Sequence, residues 1–78
     1  MEPIETTVHF NEDGTVTPLH FTWNGGHYRV ESTGRRWLDE IGQHMLVMVS
    51  SGQIYELVFR GPEGRWYITK VRPDKTVV

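Results

Sequence analysis

Asn24-Gly25-Gly26 is the strongest local signal in the chain. Asn-Gly and Gly-Gly both accept the positive φ that a two-residue hairpin turn demands. The stretches on either side alternate. Leu19, Phe21 and Trp23 are separated by His20 and Thr22, while Tyr28 and Val30 sit among His27, Arg29 and Glu31. A period of two is the mark of a half-buried strand. With Gly25-Gly26 as the loop, Trp23 faces Tyr28 and Phe21 faces Val30. With Asn24-Gly25 as the loop the pairs slide by two and the same face stays inward. The aromatic face is therefore specified more firmly than the pairing.

The same alternation recurs along the chain. Ile4, Thr6, Val8 and Phe10 precede the turn residues Asn11-Glu12-Asp13-Gly14. The strand that follows, from Thr15 to Trp23, contains Pro18. Lacking an amide donor, Pro18 makes it start late, lie at an edge or bulge. Residues 32–43 are ambiguous. Trp37, Leu38, Ile41, Met45 and Met48 fall at helical spacings, but Gly42 breaks that pattern and Val47 and Val49 favour strand. The expectation is a short helical turn or loop near 36–41 and a strand from His44 to Ser50. The nearly continuous apolar run there suits a central strand, covered on both faces or by a partner. Ser51-Gly52 makes a turn before a strand from Ile54 to Arg60. Gly61-Pro62-Glu63-Gly64 makes another before a last strand from Arg65 to Arg72. Together these predict one small all-β domain over residues 1–78. Its architecture is an antiparallel meander of five to six strands curled into an SH3-like barrel, which removes exposed edges.

Composition narrows the function classes. The 78 residues include no cysteine, so there is no disulfide and no thiolate ligand or nucleophile. A chain this short buries only about 60% of the surface its unfolded form exposes. Packing alone must hold it, and its 12% aromatic content is the material for that. The expected inner-face rings are Phe10, Phe21, Trp23, Tyr28, Tyr55 or Phe59, and Trp66. No apolar run approaches a membrane span. The acidic start Met1-Glu2-Pro3-Ile4-Glu5 lacks a leader's apolar core, so a cytoplasmic location is expected.

No constellation points to catalysis, a metal or a cofactor, and a non-enzyme is expected. His9, His20, His27 and His44 show no tight ligand spacing and are expected as solvent-facing strand residues. There is no Gly-x-Ser-x-Gly elbow around Ser32, Ser50 or Ser51, and Asp13, Asp39 and Glu40 are not placed as a pair. Asn24-Gly25-Gly26-His27 lacks both phosphate-loop patterns.

Charge is nearly balanced overall, at −2, but unevenly spread. Glu2, Glu5, Glu12 and Asp13 stand in residues 1–20 without a Lys or Arg. Arg60, Arg65, Lys70, Arg72 and Lys75 outnumber Glu63 and Asp74 in residues 60–75. Trp66 and Tyr67 lie inside that basic run, and Arg35 and Arg36 precede Trp37. Basic side chains interleaved with aromatics can clamp single-stranded nucleic acid. Ordinary strand alternation, with solvated Arg and Lys, explains the same pattern. The candidate binding surface is Arg35, Arg36, Trp37, Arg60, Arg65, Trp66, Tyr67 and Arg72. Its leading expected role is to bind a protein partner. Single-stranded nucleic acid in repair or replication is the alternative, and a weak homodimer through a strand edge or Met45–Val49 is a further expectation.

The string Pro18-x-x-Phe21-x-Trp23-x-Gly25-x-x-Tyr28-x-Val30, then Trp37, Tyr55-Glu56-Leu57 and Gly64-x-Trp66-x-Ile68, resembles a family of short bacterial domains of unknown function. The likeness spans residues 4–71. Some members of that family occur beside Y-family polymerase-like proteins of DNA repair. The resemblance implies no catalytic residues. The apolar run Met45–Val49 departs from the family pattern and points to self-association.

Overall fold

The computed structural model describes residues 1–70, which form six strands and no helix. These are β1 (Glu2–Phe10), β2 (Val16–Trp23), β3 (Gly26–Leu38), β4 (Gln43–Val49), β5 (Ile54–Arg60) and β6 (Arg65–Lys70). Each strand pairs antiparallel with the next, and β1 returns to β6, so the meander closes into an SH3-like barrel. The Asn24-Gly25 loop sets the hairpin register. Asn24 and Gly25 have φ of 50° and 77°, and Trp23 pairs with Gly26 and Phe21 with Tyr28.

Two strands do the closing. Glu2–Ile4 of β1 pair with β6, and Glu5–Phe10 pair with β2. In β3, Gly26–Arg29 pair with β2, and Val30–Leu38 pair with β4. Bulges supply the bends. One lies on β2 at Leu19, next to Pro18, and two lie on β3, within Val30–Ser32 and within Thr33–Arg36. An extra residue kinks a strand and increases its twist. It also resets the inside–outside phase. Val16, Pro18 and Phe21 are all buried, while Leu19, expected inside, is 44% exposed.

The helical turn considered near 36–41 is strand through Leu38, followed by a bend at Asp39–Gly42. The helix-like spacing of Trp37, Leu38 and Ile41 arises because bulges and a turn interrupt a period of two. The core consists of Val16, Phe21, Met45, Val47, Val49, Leu57, Trp66 and Ile68, with Ile4, Val8, Trp23, Tyr28, Val30, Tyr55 and Phe59 packed against it. Phe10 is the exception among the expected inner rings. It shares a face with buried Val16 yet is 68% exposed, because β1 runs past the end of the barrel there. Arg36 helps close the seam between β2 and β3 where their pairing stops: its guanidinium donates to the Val16 carbonyl at 2.8 Å.

The Asp39–Gly42 bend lies tightly on β5. A Cβ on Gly42 would sit 2.4 Å from the Phe59 carbonyl oxygen, whereas one on Gly61 would lie 3.8 Å from the Phe59 ring. Backbone cannot swing aside as a side-chain tip can. Gly42→Ala is therefore expected to lower Tm by roughly 8–16 °C, the equivalent of about 2 kcal/mol in a domain this size. Gly61→Ala is expected to stay within about 0.5 kcal/mol of the parent. Thermal melts of the two variants check the pair, and equal losses would contradict the close approach.

Candidate interaction surface

The end of the barrel that carries the β1–β2, β3–β4 and β5–β6 turns is built around one histidine. Directly paired residues on antiparallel strands share a face. Trp37, His44, Val58 and Tyr67 are successive cross-strand partners over β3, β4, β5 and β6, and they form a row on the outside of the barrel. This row is far from polar. Val58 is wholly buried and His44 is only 6% exposed. The Trp37 indole stacks on the His44 ring, centroid to centroid 5.0 Å and 11° from parallel. The Arg35 guanidinium lies 5.3 Å from the Trp37 ring centre.

A buried imidazole needs partners for both nitrogens. His44 Nδ1 meets Glu56 Oε2 at 2.6 Å, and Nε2 meets Asp39 Oδ1 at 2.8 Å. A neutral imidazole has one N–H, so only the protonated ring donates to both carboxylates. Burial works against the charge and is the largest single influence on His44. The hydrogen bonds to Glu56 and Asp39, with their charges, outweigh it and raise the pKa above the ordinary histidine value. The same contact lowers the Asp39 pKa, helped by the backbone amides of Ile41 and Gly42, which donate to Asp39 Oδ1 at 2.9 and 3.2 Å. Asp39 thus folds its own turn and ties it to His44. The two carboxylates grip opposite edges of the ring, so the trio cannot converge on an ion. Among the described residues no group of three or more His, Cys, Asp or Glu side chains is arranged to hold a metal.

His44 thus departs from its expected place as a solvent-facing strand residue. Its signal in the sequence was a polar ring abutting the apolar run Met45–Val49. Most of that run is buried within the chain, and Met48 is the exception at 39% exposed. Met45, Val47 and Val49 fill the core, Leu46 is 9% exposed on the outer face, and β4 is hydrogen-bonded on both edges to β3 and β5. Its backbone offers no free edge to a partner strand.

The expected binding residues divide into four groups. Arg35, Trp37, Arg60, Arg65 and Tyr67 lie on or beside the His44 row, with Trp37 and Tyr67 half-buried. Arg36 is engaged in closing the seam. Trp66 is not a surface residue: 7% exposed, it packs in the core with its ring 4.9 Å from Phe59. Alternation puts Tyr67 outside and its neighbour inside. Arg72 lies outside the described residues. Nor is the face a basic stripe. Glu63 pairs with Arg60 at 3.3 Å and accepts the Tyr67 hydroxyl at 2.9 Å, and Asp39 and Glu56 flank His44.

The comparisons bring no relative. The chain matches no family model, no curated protein and no solved structure. The site therefore stands on its own geometry.

What that geometry leaves unsatisfied is apolar. Leu38 pairs with Gln43, which pairs with Phe59, and so carries the inner-face phase, yet it is 74% exposed. Phe10, also of inner-face phase, is 68% exposed at the same end, and Ile41 on the clamped turn is 42% exposed. Leu38 forms a wall of two depressions. One, of about 330 Å³, lies between the Asp39–Gly42 bend and Phe59–Pro62, and the other, of about 270 Å³, runs along Trp37 and His44. Sequence reasoning missed these three: Phe10 was expected on the inner face, and Leu38 and Ile41 lay in the ambiguous stretch read as a helical turn or loop.

The clamp has a pH signature. A raised pKa in the folded state means the His44 contribution is fully present below the unfolded value of about 6.5 and is lost as pH rises through the folded value. Asp39, with a lowered pKa, contributes above its unfolded value and loses that contribution at lower pH. Tm is therefore expected to fall as pH is raised from about 6 into the alkaline range. His44→Gln should be less stable and should flatten that alkaline limb. An unchanged slope in His44→Gln would contradict the clamp.

Proposed function

We propose that this chain is a non-catalytic protein-interaction module that docks a partner at the open end of the barrel, over Phe10, Leu38 and Ile41. The supporting observation is that these side chains stand 68%, 74% and 42% exposed in a domain whose core residues are at most 9% exposed. Large exposed apolar side chains gathered at one end of a small barrel support an interaction site there. The His44 clamp, by fixing the Asp39–Gly42 turn, removes ordering cost that binding would otherwise carry. Trp37, with Arg35 against it, supplies the ring and cation that interface centres favour. The mixed signs around Arg60, Arg65, Glu56 and Glu63 suit a protein partner better than a phosphate backbone. No described helix is long and apolar enough to cross a membrane. The cysteine-free composition fits a cytoplasmic bacterial protein, and the resemblance to domains found beside Y-family polymerase-like proteins makes a repair accessory the setting of choice. The edge of β1 from Glu5 to Phe10, which pairs with β2 alone, also supports weak self-association.

The double variant Phe10→Glu/Leu38→Glu tests the docking end. Its stability is expected to stay within about 0.5 kcal/mol of the parent, since both positions are exposed. In affinity capture it should lose the protein that the parent retains. Retention of the same protein by both forms would contradict the site. Labelled single-stranded DNA titrated at low and moderate salt should show no binding, whereas binding that weakens steeply with salt would favour the nucleic-acid role. Sedimentation at high concentration should show a monomer–dimer mixture, and a clean monomer would rule out self-association.

A further inference from the structure

The opposite end of the barrel, where the β2–β3 and β4–β5 turns lie, carries an aromatic mouth that the docking proposal leaves unused. Trp23, Tyr28 and Tyr55 are each half-buried. Their ring centroids form a nearly equilateral triangle: Trp23–Tyr28 6.0 Å, Trp23–Tyr55 5.6 Å and Tyr28–Tyr55 5.9 Å. The rings are mutually inclined by 47°, 72° and 73°, not stacked. Below them Phe21, wholly buried, stacks on Tyr28 at 5.1 Å and meets Tyr55 edge-on at 6.1 Å, closing the floor. A cation seated over the triangle comes within the roughly 6 Å reach of all three π systems at once.

Two polar features turn this cluster towards a positive ligand. Glu2 lies on the inner-face register opposite Ile68, and its Oε1 accepts the Trp23 indole N–H at 2.5 Å. That bond fixes a carboxylate at the rim and leaves its second oxygen for a ligand. Tyr28 and Tyr55, both half-buried, add phenol oxygens to the cluster. Burial, with the neighbouring Tyr28, keeps Tyr55 in its neutral phenol form by raising its pKa. Beside the triangle, a depression of about 440 Å³ bounded by Glu2, Trp23, Asn24 and Ile68 has room for the body of a ligand.

We propose that this mouth binds a quaternary, trimethylated ammonium group over the Trp23–Tyr28–Tyr55 triangle and beside Glu2. Such a cation is large, weakly hydrated and unable to donate hydrogen bonds, so it gains from ring faces and a nearby carboxylate at little desolvation cost. A bare lysine ammonium is compact and strongly hydrated, and it gains less. The group reaches the site either on a methylated lysine of a protein or as a free choline-like ion.

Saturation-transfer NMR on the ligand methyl protons tests the site. Choline is expected to bind the parent chain saturably, and its neutral carbon isostere dimethylbutanol is not. Equal binding of the two, or no binding of choline, would overturn the proposal. Trp23→Leu should weaken choline binding about tenfold. Glu2→Gln changes an exposed side chain, leaves the core untouched and should weaken binding about two- to fivefold. Choline affinity unchanged in Glu2→Gln would overturn the role of the carboxylate even if Trp23→Leu fails to fold. A trimethyl-lysine peptide that binds more tightly than choline identifies a protein side chain as the source, and one that binds no better identifies a free ammonium ion. Phe10→Glu/Leu38→Glu should bind choline as the parent does, which separates this site from the docking end.

Discussion

A histidine ring held between two carboxylates organises the outer wall of this barrel. His44 lies one residue beyond the Asp39–Gly42 turn and sits in β4, the strand enclosed between β3 and β5. Its burial would be costly for an unpaired polar group. Asp39 and Glu56 remove that cost by taking one ring nitrogen each, at 2.8 and 2.6 Å. Three consequences share this contact. The turn is tied to the sheet, Trp37 gains a flat surface to stack on, and the outer face of β4 is covered at His44 and Leu46 while Met48 stays exposed. The polar cluster is small: one protonated ring set against two carboxylates, one of which also accepts the Ile41 and Gly42 amides.

The barrel itself depends on a different device. No disulfide braces it, so closure must come from backbone geometry and from packing. Bulges in β2 and β3 let the strands curve, and β1 and β3 each serve two neighbours. The curve brings Phe21, Met45, Leu57 and Ile68 together in a core with almost no exposed surface. The same curve leaves the strand ends uneven. Phe10 and Leu38 keep the inner-face phase beyond the point where an opposite wall exists. Their exposure is a direct result of how the barrel closes, and it is what gives the open end its apolar character.

Much of the fold was legible in the sequence because alternation and turn chemistry are local. The Asn24-Gly25 hairpin, the turns at Gly14, Gly52 and Gly64 and the six strands all follow from neighbouring residues. The bulges were less legible. Pro18 announced one and Gly34 sits within another, but nothing near Glu31 announces the third, and the two on β3 convert Trp37 and Leu38 from a helix-like spacing into strand. The candidate surface was legible only in part. Trp37 and Tyr67 were found as aromatics beside arginines, whereas Trp66, one residue from Tyr67, turned inward by alternation. His44 could not be placed, because its partners Asp39 and Glu56 come from a turn and from another strand. The exposure of Phe10, Leu38 and Ile41 depends on where the opposite wall ends, and that is set by tertiary closure alone.

The clamp links the barrel to the docking end, and NMR titration of His44 tests it most directly. The account has the imidazole titrating above the ordinary histidine value, with both ring N–H protons visible below that midpoint. The Ile41 and Gly42 amides, which donate to Asp39, should shift with the same midpoint. A ring that titrates at or below the ordinary value, while those two amides stay still, would contradict it.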